Sequence, residues 1–140
     1  MAVRAKYLLD TSSAARIRLP SVLDILGPLI RAGFVGTCAP LDTEALYSAR
    51  NLREYEEVRT NRRQSYEYLP TNDDHWQRAL SAQHALAQSG RHRAVGIADL
   101  LTAVLAAEHG LIVLHHDSDF EIAAEVLPFE HRWVPARGAS

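Results

Sequence analysis

The stretch Leu111–Phe120, LIVLHHDSDF, limits the possible folds more than any other part of the chain. An apolar run, Leu111 to Leu114, is led in by Gly110 and passes directly into a polar end carrying Asp117 and Asp119. A short apolar run of this kind reads as a strand buried on both faces, as in a parallel sheet. Ser118 reads as the N-cap of a following helix, with Glu121 three residues on to close a capping box ahead of Ile122, Val126 and Leu127. Two carboxylates therefore stand where a buried strand hands over to a helix, the place where open α/β sheets bind ligands. If the extended conformation persists, His115, Asp117 and Asp119 share one side. A plainer reading is that Asp119 only complements the helix dipole and Asp117 only decorates a turn, each worth about 0.3–1 kcal/mol.

The same grammar opens the chain. Lys6 to Leu9 is a short apolar strand ending on Asp10, and Thr11, Ser12 and Ser13 offer N-caps for a helix through Ala14 and Ala15. Pro20 starts a second helix in which Val22, Ile25, Leu26, Leu29 and Ile30 are spaced for one buried face, with Gly27-Pro28 as a potential kink and Gly33 as its stop. Phe34 to Ala39 is the second strand. Cys38 reads as a small core residue there, since nothing marks a His partner for it.

Pro40 to Arg50 follows as a helix capped by Asp42 or Thr43, which places Glu44 in its first turn, where a surface acid is also dipole-favoured. Asn51 to Leu69 mixes Arg53, Arg59, Arg62 and Arg63 with Glu54, Glu56 and Glu57, and interleaves Tyr55, Tyr66 and Tyr68. Such spacing suits a solvated helix laced by i,i+4 pairs, and arginine with tyrosine also suits an RNA or protein surface. Pro70 is expected to end that helix, and Thr71 to Asp74 to cap the next, which runs to Gly90. After the basic loop Arg91-His92-Arg93, Ile97 to Ala107 is a nearly all-apolar helix that must be buried on most sides. Its single charge, Asp99, is costly to bury unless something satisfies it, and Thr102 shares its face as a conceivable polar groove wall. Arg132 to Val134 reads as an edge strand and 135–140 as a flexible tail.

Strands alternating with helices argue a three-layer α/β/α sandwich around a mostly parallel sheet, as a single domain spanning 1–140. The net charge of −2 gives no global basic field. The only lysine, Lys6, leaves no candidate for Walker-type phosphate binding or Schiff-base chemistry. One cysteine excludes an internal disulfide framework, and no stretch approaches transmembrane length or resembles a signal peptide, so a cytoplasmic location without membrane contact is expected. Parallel strands bring their C-terminal ends to one edge, which would gather Asp10, Glu44, Asp99, Asp117 and Asp119. Carboxylates converging there push protons onto one another unless a divalent cation neutralises them, and hard oxygen ligands suit Mg²⁺ or Mn²⁺.

LLDTS at Leu8 to Ser12, TEAL at Thr43 to Leu46, IADLLTAVLA at Ile97 to Ala106 and HHDSDF at His115 to Phe120 together resemble the PIN-domain ribonucleases. The resemblance is greatest to the VapC toxins of bacterial VapBC toxin–antitoxin pairs, and covers nearly the whole chain in order. It implies a PIN-like fold and a Mg²⁺-dependent endoribonuclease, Mn²⁺ substituting, that cuts structured RNA at tRNA or rRNA loops. The catalytic acids would be Asp10, Glu44, Asp99 and Asp117. Metal would be held by Asp10 and Asp99 principally, with Asp117 and with Asp119 in support. It further implies a homodimer and a cognate VapB-like antitoxin that blocks the acidic groove. His115 departs from the family, which more often has Thr or Ser there; a histidine could instead bind Mn²⁺ or a phosphate. Ser12, or Thr11, is a candidate for a phosphate contact, and Arg16, Arg18, Arg91 and Arg93 for flanking phosphates.

Two other classes compete. One is a catalytically silent PIN-like module that binds RNA or protein through the Arg/Tyr helix. The other is a phosphoryl enzyme with an aspartyl nucleophile, for which Asp10-Thr11-Ser12 lacks the second Asp two residues on and Lys6 is misplaced. Metal-independent histidine chemistry fits poorly, because the adjacent His115 and His116 point apart on a strand.

Overall fold

Five short strands form one all-parallel sheet in the order β3-β2-β1-β4-β5: β1 (Tyr7–Leu9), β2 (Val35–Thr37), β3 (Glu67–Tyr68), β4 (Ile112–His115) and β5 (Glu130–Trp133). The structure, a computed structural model, describes residues 2–138. The chain builds outward from β1 through β2 to β3, then crosses back to lay β4 on the other side of β1. The strand order reverses between β1 and β4, and their carboxyl ends flank the crevice where doubly wound sheets take ligands. Among the described residues, seven helices fill the crossovers: α1 (Thr11–Ala14), α2 (Pro20–Arg31), α3 (Ala39–Tyr47), α4 (Leu52–Ser65), α5 (Asp73–Ala87), α6 (Ile97–His109) and α7 (Asp119–Ala123).

Strand alternation sorts the core into layers. Leu9, Val35 and Leu114 pack with Val22 and Leu26 of α2 on one face, while Leu8 and Val113 pack with Leu41 of α3 and Leu105 of α6 on the other. Beyond that second face, α6 presents Leu100, Leu101, Ala103 and Val104 to Ala79, Ala82 and Leu86 of α5. Residues 100 to 106 of α6 are all buried, as its composition requires, and Gly110 ends the helix in the left-handed region at φ 66°. The three-layer architecture and the parallel sheet thus match the sequence expectation.

Several local expectations differ. Ile25 is 47% exposed, because α2 turns only Val22, Leu26 and Gly27 fully inward. Pro28 lies inside α2, which runs through it unbroken. The third helix starts at Ala39, with Cys38 at its cap position and Pro40 in its first turn, so Asp42 and Thr43 are interior residues and Glu44 sits beyond the first turn. The charged helix α4 ends at Ser65 rather than at Pro70, and the chain then adds the edge strand β3 by pairing Glu67 with Gly36. Asn72 caps α5, and His75 reciprocates from the third position. Ser118 has helical backbone angles and makes no side-chain cap bond; Asp117 Oδ1 instead accepts from the Asp119 N–H at 2.9 Å. At the start of the expected tail, Pro135 is buried and Arg137 pairs with Glu121 over the Trp133 ring. Residues 139 and 140 of the expected tail lie outside the described residues.

Candidate metal centre

Each acid of the candidate site is placed by a different element. Asp10 follows β1 and is the N-cap of α1: its Oδ2 accepts from the Ser12 N–H at 3.1 Å and the Ser12 hydroxyl at 2.5 Å. The same Ser12 oxygen accepts from the His116 N–H at 2.8 Å, so one hydroxyl ties the end of β1 to the end of β4. Asp99 lies in the first turn of α6, Asp117 just beyond β4, Asp119 at the start of α7, and Glu44 on α3. One carboxylate oxygen each from Asp10, Glu44 and Asp99 lie within 4.8 Å of one another, and so do oxygens from Asp99, Asp117 and Asp119. Asp99 belongs to both groups and stands at the centre. Asp10, Glu44, Asp99 and Asp117 line an open groove of about 530 Å³ together with Thr11, Ser12 and Ser48.

This convergence raises the affinity of the carboxylates for protons. Burial, with Asp10, Glu44, Asp117 and Asp119 around it, pushes Asp99 up to about 8. Asp10 is raised by burial against the opposing hydrogen bonds from Ser12, and Glu44 by burial and then Asp10 and Asp117. Asp119 is raised by burial, Asp117 and Asp10. Oδ1 of Asp10 is buried with no hydrogen-bond partner among the described residues. An anionic oxygen so placed costs about 1–3 kcal/mol or more unless a cation or donor meets it. An orphaned oxygen within an all-oxygen donor set fits a hard divalent ion. Asp10, Asp99, Asp117 and Asp119 are the residues that would hold it, with Glu44 beside Asp10 and Asp99.

His115 lies outside the donor set. It is fully buried against Phe120, His131 and Trp133. Its Nδ1 accepts from the Asp117 N–H at 3.1 Å and its Nε2 lies 2.8 Å from His131 Nδ1, so neither nitrogen is free for Mn²⁺ or phosphate. Burial, then His131, depress its proton affinity to about 4, which keeps the ring neutral. The extended backbone expected to carry His115, Asp117 and Asp119 on one side breaks at Ser118. Thr102 is not a groove wall either; it is buried and donates to the Ala98 carbonyl at 2.8 Å.

Of the candidate phosphate contacts, Ser12 lines the groove. Arg16 is half-buried and donates to the Ser12 carbonyl, and Arg18 is exposed beyond α1. Arg91 is paired with Glu125 at 2.9 Å, and Arg93 is exposed in the loop before α6. None of these arginines lines the groove. An arginine that does is Arg62, which the sequence hid among the solvated charges of α4. It is buried, bonds Asp42 at 2.8 Å and the Thr37 hydroxyl at 3.1 Å, and covers the Tyr66 ring. Nothing in the local pattern separates it from Arg59 or Arg63; only the packing of α4 on α3 selects it.

Residues 7–126 match the family described as PIN domain. The chain belongs to the PIN-domain family. Among its PIN relatives, Ribonuclease VapC21 of Mycobacterium tuberculosis is 41% identical over 135 residues, 96% of this chain and 98% of the relative. Ribonuclease VapC51 of the same organism is 38% identical over 133 residues, 95% of this chain and 96% of the relative. Among solved structures, DNA-bound VapBC from Salmonella typhimurium superposes with a TM-score of 0.75 at 18% identity, covering 92% of this chain and 98% of that one. This PIN domain is therefore related to the VapC ribonucleases, and its acidic groove lies at the switch point of the shared fold.

Proposed function

We propose that the chain is a Mg²⁺-dependent endoribonuclease, with Mn²⁺ able to substitute, and the toxin of a type II toxin–antitoxin pair. The observation that carries this reading is the convergence of four carboxylates on Asp99, with a buried, unpartnered Asp10 oxygen among them. A divalent ion bound there supplies charge neutralisation and lowers the pKa of water towards neutrality. The chain's own residues do the rest. Ser12 fixes one oxygen of Asp10 and leaves the other for the ion. The first turn of α6 holds Asp99, and Asp117 is held by the bond its oxygen accepts from Asp119 and the one its N–H donates to His115. Glu44, the most exposed of the group, accepts a proton at a carboxylate oxygen from the water that attacks the phosphate in line. The ribose 2′-OH is then not the nucleophile, and the leaving group is the 3′ oxygen.

Ser12 is proposed to hydrogen-bond the substrate phosphate from the groove wall. Arg16 and Arg18 follow Ala14 and Ala15, which line the groove, and are proposed to hold backbone phosphates leaving it; Arg91 and Arg93 would do so on the side of α6. Loops of tRNA or rRNA are the proposed targets, since unstacked single strands present their backbone to such a groove. Identity to VapC ribonucleases, and a fold shared with VapBC complexes, support a VapB-like antitoxin as partner; a homodimer is proposed on the same ground. The test is incubation of the purified protein with total cellular RNA and Mg²⁺, Mn²⁺ or EDTA, alongside Asp99→Asn. Discrete products carrying 5′-phosphates that vanish with EDTA and with the substitution are expected. Cleavage that persists in either arm overturns the metal mechanism, and RNA binding without cleavage would leave a silent binding module.

A further inference from the structure

We propose that a second cavity, next to the acidic groove and bordered by Arg59, Arg63 and Tyr68, is a subsite for one nucleotide of single-stranded RNA flanking the cleaved bond. This rests on the RNA reading above and names where the neighbouring nucleotide goes. The cavity is about 480 Å³, within the roughly 300–1,000 Å³ typical of ligand sites. Arg62 lines both it and the acidic groove, so the two are contiguous. The charge of Arg62 is taken up by Asp42, which lines the cavity beside it. Arg59 and Arg63 are different. Neither makes an ion pair among the described residues, although α4 is rich in glutamate; Glu54 and Glu57 are taken by Arg50 and Arg53.

Beside these free guanidinium groups stands Tyr68, 55% exposed on the edge strand β3, where it meets no requirement of the core. A π-face next to two unneutralised cations matches a base and its phosphate together, which is how single strands are bound without sequence readout. An acidic peptide would satisfy the guanidinium groups and leave the ring unused. The neighbouring groove is acidic and repels phosphate until cations enter it. The positive rim beside it is where the flanking strand would find attraction that needs no metal.

The test is fluorescence anisotropy of a labelled single-stranded oligoribonucleotide in EDTA across a salt series. Wild type is compared with Arg59→Ala/Arg63→Ala, Tyr68→Ala, Tyr68→Phe and, as a control away from the cavity, Arg31→Ala. Losing two phosphate-facing charges lowers the slope of log affinity against log salt by about 1.4. Tyr68→Ala weakens binding roughly 5- to 150-fold, while Tyr68→Phe keeps the stacking face and the affinity. Arg31→Ala keeps the wild-type slope. In the cleavage assay Arg59→Ala/Arg63→Ala and Tyr68→Ala raise KM and leave kcat in place, and Tyr68→Phe and Arg31→Ala change neither. Unchanged slope and affinity in the arginine and Tyr68→Ala variants, with wild-type cleavage intact, overturn the subsite and leave the nuclease reading standing. Wild type that neither binds nor cuts RNA overturns both. Variants that keep RNA binding but lose binding to a poly-glutamate peptide would assign the cavity to an acidic protein segment instead.

Discussion

Asp99→Asn should stabilise the metal-free protein while abolishing its proposed activity. In the folded chain Asp99 holds its proton up to about pH 8, whereas the unfolded chain releases it near 3.8. The folded pKa is the higher one, so the contribution to stability is fully present below the unfolded value and is lost as pH rises towards 8. At about 1.4 kcal/mol per pH unit, keeping Asp99 protonated at pH 7 costs the folded state about 4 kcal/mol. The groove is open to water, which screens part of this, and a gain of about 2–3 kcal/mol is expected from the neutral isostere at pH 7–8. For a domain of this size that is a rise in Tm of roughly 6 °C or more. Thermal unfolding in EDTA at pH 4.5, 6 and 8 measures it. The gap between Asp99→Asn and wild type should be widest at pH 8 and nearly closed at pH 4.5. A variant no more stable than wild type at pH 8, or equally more stable at every pH, would refute the view that crowded, buried carboxylates strain this site.

Other consequences follow from the same geometry. Adding Mg²⁺ or Mn²⁺ at a hundred times its Kd should stabilise wild type by about 2.7 kcal/mol at neutral pH, seen as a concentration-dependent Tm. The same addition should shift Asp10→Asn little, since that variant turns the orphaned oxygen into a neutral ligand. His115→Ala leaves the Asp117 N–H without its acceptor and a cavity beside Phe120, and should cost about 2–4 kcal/mol in urea unfolding with the m-value unchanged. A cost below about 1 kcal/mol would mean that the ring does not support this end of β4. Arg62→Met should destabilise by about 2–4 kcal/mol by leaving Asp42 unpaired beside Thr37. The double variant Arg62→Met/Asp42→Asn should recover part of that loss, and strict additivity of the two changes would argue against the pair.

Local chemistry made much of the fold and site legible. The apolar runs ending on Asp10 and ahead of Asp117 are strands because nothing in them is polar enough to face water. The composition of Ile97 to Ala107 demanded burial, which made Asp99 conspicuous as the only charge in that run. Elements with weak local signals were not legible. The strand β3 is two residues long and exists because Gly36 of β2 pairs with Glu67. The start of α3 is not legible locally because Asp42 looks like a cap, while in the fold it is the partner of Arg62, 20 residues on.

By itself, then, the sequence determined which carboxylates end strands and open helices, and that a parallel sheet would carry them, because burial and capping are read within a few residues. The tertiary structure decided how close those acids come, which oxygen of Asp10 is left bare, and that His115 turns inward to serve the backbone of Asp117. It also decided which arginine of α4 is buried and which stay free beside the groove. These depend on strand order and helix register across long separations, where identical side chains meet different neighbours.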